Sequence, residues 1–122
     1  MGLDQFAYAR LPEQDPAEVN AEFTWRKHAK LQEFMEQLFE TRTGQSADQL
    51  NGDELELQPE DIVTLQAMVE QGQLPASPGG FFYGHQFQDE SATEYRELDL
   101  KFCQWARTIL QTRQKVFYTC WW

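Results

Sequence analysis

The C-terminal segment KVFYTCWW, residues 115–122, restricts the possible folds more than any other stretch of this sequence. Successive side chains of an extended strand point to opposite faces of a sheet, and here both sets of positions are mostly apolar. Such a strand belongs inside a sheet covered on both sides, or covered on one side and packed against a loop on the other. We therefore predict a central strand that is tied to the sheet, with Trp121 and Trp122 in structural roles.

Two helices are predicted upstream from apolar residues spaced three and four apart. The first begins after His28 and ends near Gly44, and an alternative extends it back through Trp25. The second begins at Pro59 and ends at Gly72, because proline suits the first helical turn and glycine suits the position after the last. The apolar stripe of the first helix consists of Leu31, Phe34, Met35, Leu38 and Phe39.

A third helix is predicted from residue 91 to about 112–114, and its apolar side is the most regular in the chain. It opens with the sequence Ser-Ala-Thr-Glu at 91–94, which has the serine and glutamate spacing of a capping box. The remaining strands are predicted at 3–10, around Phe23 and Trp25, at 54–57 and at 81–83, in addition to 115–122.

These elements follow one another in the order β-β-α-β-α-β-α-β. At 122 residues, of which 41% are hydrophobic, the chain is long enough to bury one core. We predict a single α+β domain over residues 1–122, with a small mixed β-sheet, about three helices and the C-terminal strand central in the sheet.

The net charge of −10 is concentrated in one part of the chain. Residues 43–95 contain no lysine or arginine, whereas the rest of the chain has equal numbers of acids and bases. The net negative charge disfavours nucleic-acid binding, which depends on cationic contacts to phosphates. For residues 43–95 we favour a solvated, solubilising surface. The alternatives are a surface for a basic partner or a mimic of nucleic acid. The acids of this interval are Asp48, Asp53, Glu54, Glu56, Glu60, Asp61, Glu70, Asp89, Glu90 and Glu94.

The two cysteines, Cys103 and Cys120, are too few for a disulfide framework and have no zinc-site spacing. We interpret both as reduced core residues of a cytoplasmic protein. No apolar run approaches the length of a membrane span, and the N-terminus has no pattern of a secretory signal. We expect no membrane partner.

Eight residues are candidates for binding a ligand or partner: Asp4, Tyr8, Trp25, Arg26, Lys27, His28, His85 and Tyr95. The consecutive cations 26–28 lie where a strand becomes a helix, and helix N-termini attract anions. The alternative, which we favour, is that Arg26 pairs with Asp4 to stabilise the sheet edge.

The only histidines, His28 and His85, have the side chain best suited to acid–base catalysis near neutral pH. A metal ion would require further ligands, and the sequence has no recognisable nucleophile pattern. We expect no metal, no cofactor and no identifiable catalytic residue. The aromatic clusters at 81–83 and 121–122 are more typical of a core than of a stacking site.

Four motifs occur in the order MGLDQFAYAR, WRKH at 25–28, LP…GGFFYG at 74–84 and VFYTCWW at the end. Together they resemble a small family with the pattern MGLDxY…WRK…LP…GFFFG…Y…SWW, encoded by bacteriophages, cyanophages among them, and by some bacteria. The resemblance covers nearly the whole chain. It departs at Tyr83, where the family has phenylalanine, and at 119–120, where Thr-Cys replaces a small serine-containing pair. A phage origin, and hence the host cytoplasm, is what the resemblance implies.

Members of that family often carry the label "phosphoglycerate kinase". A genuine phosphoglycerate kinase is a two-lobed enzyme several times longer, and the segment SPGGFFYG lacks the Lys-Ser/Thr of a phosphate-binding P-loop. We predict that this chain is not a genuine phosphoglycerate kinase.

The sequence leaves two main functional hypotheses. We favour a non-catalytic interaction protein that binds a host or viral protein, because the chain is small, acidic and without a catalytic motif. The alternative is a protein or enzyme that binds an anionic or phosphorylated small molecule through Arg26, Lys27 and His28. A structural virion component is a weaker third possibility, since the chain has no repeat and no coiled coil. The oligomeric state is left open.

Overall fold

A computed structural model describes residues 2–78 and 87–122 of the chain. Within them, four strands and four α-helices confirm the α+β class. The strands are β1 (Asp4–Arg10), β2 (Phe23–Arg26), β3 (Leu55–Leu57) and β4 (Lys115–Trp121). The helices are α1 (Ala29–Thr43), α2 (Pro59–Gln71), α3 (Gln88–Glu94) and α4 (Arg96–Ile109). Short 3₁₀ turns occupy Pro16–Glu18 and Ala47–Leu50.

The strands form one sheet in the order β2-β1-β4-β3. The C-terminal strand β4 is therefore interior, as predicted, and pairs with β1 along its whole length, from Asp4 opposite Trp121 to Arg10 opposite Lys115. The prediction of a mixed sheet is wrong for the described strands, because all three strand pairs are antiparallel. The excursion through the last three helices returns the chain to the end of the sheet it left, where Leu57 lies opposite Val116.

The first two predicted helices are confirmed. Gly44 directly follows α1 and Gly72 directly follows α2, and both glycines have the left-handed backbone conformation that closes a helix. The alternative that extended the first helix through Trp25 is wrong, since Trp25 lies in β2. The strand predicted at 81–83 lies outside the described residues.

The predicted third helix is two helices, so the count of three and the proposed capping box at 91–94 are wrong. Ser91 lies inside α3, and the chain breaks its helical course at Tyr95, between α3 and α4. The Tyr95 hydroxyl accepts a hydrogen bond from the backbone N–H of Arg26 in β2, at 3.1 Å. This contact between distant parts of the chain holds Tyr95 against the sheet edge, and local helix signals do not encode it.

The helices cover one face of the sheet, and the core lies between the helices and the sheet. Trp25 of β2 packs edge-on against Phe102 of α4, with ring centroids 5.4 Å apart. On the opposite face, the guanidinium of Arg10 lies 4.2 Å from the centre of the Phe117 ring. One face of β4 is thus covered by helices, and the other, at Phe117, by a side chain from the neighbouring strand. The sheet residues buried beneath the helices include Ala7, Trp25, Leu55, Leu57, Val116, Tyr118 and Cys120.

The two C-terminal tryptophans have different environments. Trp122 is half-buried and packs against the core, which agrees with the structural role predicted for it. The side chain of Trp121 points to the opposite face of the sheet and is 63% exposed. The expectation that the 121–122 cluster belongs to the core therefore fails for Trp121.

Candidate functional site

A buried histidine–aspartate pair lies where β2 becomes α1. The Nε2 atom of His28 is 2.7 Å from Oδ2 of Asp99, and Nε1 of Trp25 donates to the other carboxylate oxygen at 2.9 Å. His28 and Asp99 are almost completely buried. A buried carboxylate is tolerated only when its oxygens have such partners, so these contacts fix β2 and the start of α1 to α4.

The same network continues across the sheet through side-chain amides. Gln5 of β1 accepts a hydrogen bond from the His28 backbone N–H at 2.9 Å and donates to the His28 carbonyl at 3.1 Å. Its amide also donates to the Tyr118 hydroxyl, which in turn donates to Gln32. All four residues are buried, so one polar network runs through the core from α4 to α1.

Four members of this network, Gln5, Gln32, Asp99 and Tyr118, are not among the residues predicted as candidates. A signal for two of them is present in the sequence. Gln5 alternates in phase with the core residues Leu3 and Ala7. Asp99 precedes Phe102 by three residues and so belongs to the apolar side of α4. A polar side chain at an apolar position indicates a buried hydrogen-bonded group.

Three of the predicted candidates, Trp25, His28 and Tyr95, meet at this network. The Tyr95 ring stacks on the His28 ring with centroids 5.2 Å apart. Among the described residues, the Nδ1 atom of His28 has no hydrogen-bond partner. Because the imidazole is enclosed by Tyr95, Asp99 and the backbone contacts of Gln5, it is not available to solvent.

The consecutive cations Arg26, Lys27 and His28 do not form one surface. Arg26 lies on the face of the sheet opposite the helices, is 71% exposed, and has its Nε atom 3.9 Å from the Asp4 carboxylate. Lys27 is exposed and adopts a left-handed backbone with φ of 55°, which turns the chain from β2 into α1 so that His28 faces inward. The pairing of Arg26 with Asp4 agrees with the favoured prediction. His85 lies outside the described residues.

Tyr8 belongs to a second cluster, on the face of the sheet opposite the helices. Its hydroxyl donates to Glu54, whose other oxygen is 2.7 Å from Nη2 of Arg10. Burial and the nearby carboxylate raise the pKa of the Tyr8 hydroxyl well above its usual value. Burial alone would raise the pKa of the Glu54 carboxyl, but hydrogen bonds from Arg10 and Tyr8 lower it below its usual value.

Arg10 also organises the loop between β1 and β2. Its Nη1 atom donates to the carbonyls of Leu11, Pro12 and Gln14 at 3.1–3.2 Å. The later part of this loop forms one wall of a groove of about 440 Å³ over the sheet. Aromatic side chains form the floor of the groove, and its lining residues include Phe6, Tyr8, Val19, Ala21, Gly52, Glu54 and Thr119.

Beside this groove lies a patch that we call the tryptophan surface, formed by Asp4, Phe6, Gly52, Asp53 and Trp121. Trp121 lies opposite Asp4 in the strand register. Its ring rests on Gly52, where a Cβ atom would be 3.4 Å from Cζ3. The Thr119 hydroxyl donates to the Asp53 carbonyl at 2.6 Å and fixes the turn. The surface thus presents an exposed indole, with the exposed Asp4 opposite Trp121 on β1 and the exposed Asp53 following Gly52 in the turn beneath the ring.

Three further findings concern metal binding, membrane-spanning helices and similarity to known proteins. Within residues 2–78 and 87–122, no group of three His, Cys, Asp or Glu side chains is placed to hold a metal ion. In the same residues, no helix is long and apolar enough to cross a membrane. Comparison of the chain with protein-family models, with curated proteins and with solved structures finds no match.

Proposed function

We propose that this protein is a non-catalytic interaction protein that binds a basic segment of a partner protein at the tryptophan surface. The observation that supports the proposal is the position of Trp121. A large aromatic side chain, 63% exposed, is held on the interior strand β4, which pairs with β1 as far as Trp121 itself. Rigid exposed tryptophans of this kind are the side chains that most often dominate the energy of protein interfaces.

The charge around Trp121 favours a basic partner. Asp4 lies opposite Trp121 in the strand register, and Asp53 follows Gly52 in the turn beneath the indole. Asp48 is also exposed, just before the same turn. An arginine of the partner would stack on the indole face and donate hydrogen bonds to a neighbouring carboxylate. Because Arg26 already lies near Asp4 at 3.9 Å, Asp53 is the carboxylate that we expect to contribute more.

The adjoining groove suggests a second feature of the partner segment, an apolar side chain. Its apolar wall and aromatic floor suit a branched aliphatic side chain a few residues from the arginine. The partner segment that fits is therefore extended and basic, with one apolar anchor. The resemblance to the phage-encoded family makes a host or viral protein the partner that we propose.

The arrangement gives less support to an anionic ligand held by Arg26, Lys27 and His28. His28 faces the core and bonds to Asp99, whereas Arg26 is on the opposite face beside Asp4. A ligand bridging all three cations would require the buried network to open. The proposal therefore places binding at the sheet surface and assigns no catalytic step.

The binding test uses short synthetic peptides, in which a basic sequence with one leucine is compared with the same sequence carrying glutamates in place of its arginines. We expect saturable binding of the basic peptide that weakens as salt is raised. Trp121→Ala should weaken it about thirtyfold, which corresponds to about 2 kcal/mol, and Asp53→Asn should weaken it less. Val63→Ala is the control, since Val63 of α2 is also an exposed apolar residue, at 56%.

Two results would contradict the proposal. One is the absence of binding by any basic peptide of the series, and the other is equal binding by the Trp121→Ala and wild-type proteins. A simpler measurement tests the electrostatics alone. The fluorescence of Trp121 is obtained as the difference between the wild-type and Trp121→Ala proteins. Caesium ions should quench this fluorescence more efficiently than iodide ions do, because the carboxylates attract cations.

A further inference from the structure

The groove beside the tryptophan surface contains one charged side chain. Of the described residues that line it, only Glu54 carries a formal charge, and the others are apolar, aromatic or uncharged polar residues. Asp4 and Asp53 of the tryptophan surface are not among these lining residues. The state of the Glu54 carboxylate therefore decides whether the groove suits a cationic or an uncharged side chain.

Arg10 compensates the charge of Glu54, although it is not one of the described lining residues of the groove. Its Nη2 atom is 2.7 Å from Oε1 of Glu54, and its Nε atom donates to Oε2 at 3.1 Å. Two such parallel hydrogen bonds form a bidentate pair, the strongest arrangement between these two groups. The Tyr8 hydroxyl donates to Oε2 as well. Both carboxylate oxygens are therefore engaged, and the charge on the groove lining is neutralised.

Further contacts hold Arg10 in this position. Its guanidinium lies 4.2 Å from the centre of the Phe117 ring, and its Nη1 atom donates to three carbonyls of the loop between β1 and β2. Only 12% of the Arg10 side chain is exposed. Turning away from Glu54 would break these contacts, so we expect the Arg10–Glu54 pair to persist when the groove is occupied.

We propose that Arg10 determines the specificity of the groove, which by its neutralisation of Glu54 accepts an uncharged aliphatic side chain and rejects the ammonium group of a lysine. An ammonium group would lose hydration on entering the groove and would find no free carboxylate in exchange. The occupant, the apolar anchor of a partner segment, rests on the proposed function. The basic residues of that segment are thereby assigned to the tryptophan surface, and leucine, isoleucine or valine to the groove.

Two small probes with the same hydrocarbon part, 3-methylbutan-1-ol and 3-methylbutylammonium, test the groove without any partner segment. Binding is followed by NMR at the methyl groups of Val19 and Ala21, which line the groove. The methyl group of Ala67, exposed on α2, is the reference signal. We expect saturable shifts in which the alcohol binds about tenfold more tightly than the ammonium compound, or better. No binding of the alcohol, or equal or tighter binding of the ammonium compound, would overturn the proposal.

Variants separate the charge of Arg10 from its role in holding the loop. Arg10→Met leaves Glu54 without a cation and should reverse the preference towards the ammonium compound. Arg10→Lys keeps the positive charge, and Arg10→Met/Glu54→Gln removes both charges, so both should prefer the alcohol. Arg113→Met, which removes an exposed arginine 3.9 Å from Glu13 of the same loop, should behave as the wild type. An unchanged preference in Arg10→Met, or loss of both probes in Arg10→Met and in the double variant, would overturn the proposal.

The basic peptide described above distinguishes this inference from the proposed function. Replacing its leucine with lysine should weaken binding to the wild type but not to Arg10→Met. If the alcohol binds selectively and no basic peptide binds, the proposed function fails and the specificity of the groove stands. If the leucine and lysine peptides bind equally, and both depend on Trp121, the proposed function stands and the specificity assigned to Arg10 is overturned.

Discussion

His28 and Asp99, which are 71 positions apart in the sequence, are joined by a buried contact of 2.7 Å between Nε2 and Oδ2. This contact connects the start of α1 to α4, and Trp25 adds β2 to it through the second carboxylate oxygen. The pair is therefore a structural link between the sheet edge and two helices.

Replacing Asp99 with alanine should destabilise the protein by about 3–5 kcal/mol, because it leaves the buried donors of His28 and Trp25 without an acceptor. Asp89→Ala is the matched control, since it removes an aspartate whose side chain is 83% exposed and should change stability by less than about 1 kcal/mol. Urea unfolding followed by circular dichroism measures both variants. Equal stability of the two variants would contradict the structural role of Asp99.

Both cysteines should resist alkylation in the folded protein. Burial raises the pKa of the Cys103 and Cys120 thiols to about 12, so almost no reactive thiolate is present at neutral pH. Incubation with iodoacetamide followed by mass spectrometry should show no rapid modification of the native protein and two modifications in urea. Rapid modification of the native protein at either cysteine would be inconsistent with the buried positions described here.

Glu54 should make stability depend on pH in the acidic range. Its pKa is lower in the folded protein than the ordinary value of 4.5, so the unfolded state binds more protons as the pH falls. The stabilising contribution of the ionised carboxylate is complete above the unfolded value and is lost as the pH falls through the folded value.

The measurement is the free energy of unfolding of Glu54→Gln and of the wild type at several pH values from neutral to acidic. The variant should be less stable at neutral pH, and the difference should shrink as the pH falls. Glu22→Gln, an exposed change in the β1–β2 loop, serves as the control. A difference that stays constant over the whole range would show that the charge of Glu54 does not matter.

The two C-terminal tryptophans should differ in their effect on stability. Trp122 is half-buried against the core, and its backbone N–H donates to the Asn51 side chain at 3.1 Å. Deleting it should lower the melting temperature clearly, and deleting both should unfold or aggregate the protein. Trp121→Ala should change stability by less than about 1 kcal/mol, because the indole is mostly exposed. Calorimetry compares these three variants with the wild type. A doubly truncated form that keeps the wild-type melting temperature would refute the role of Trp122.

Local patterns in the sequence predicted those elements whose signals are contained within the element itself. Helix α1 was predicted from its apolar stripe, and α2 from Pro59 and Gly72 at its two ends. Strand β4 was predicted from its two apolar faces. Each depends on periodicity and on the conformational limits of proline and glycine, which act between near neighbours. The acidic interval 43–95 likewise follows directly from the positions of the charged residues in the sequence.

The tertiary structure decided the features that depend on contacts between distant residues. Tyr95 divides the predicted third helix because its hydroxyl bonds to β2, and the sheet is antiparallel because the helices return the chain to the end it left. Asp99, Gln5 and Gln32 become a network only when four elements meet. Trp121 and Trp122 are adjacent in the sequence, yet the alternation of a strand sends them to opposite faces. Which face the helices cover, and hence which tryptophan remains exposed, depends on packing free energy summed over the whole chain.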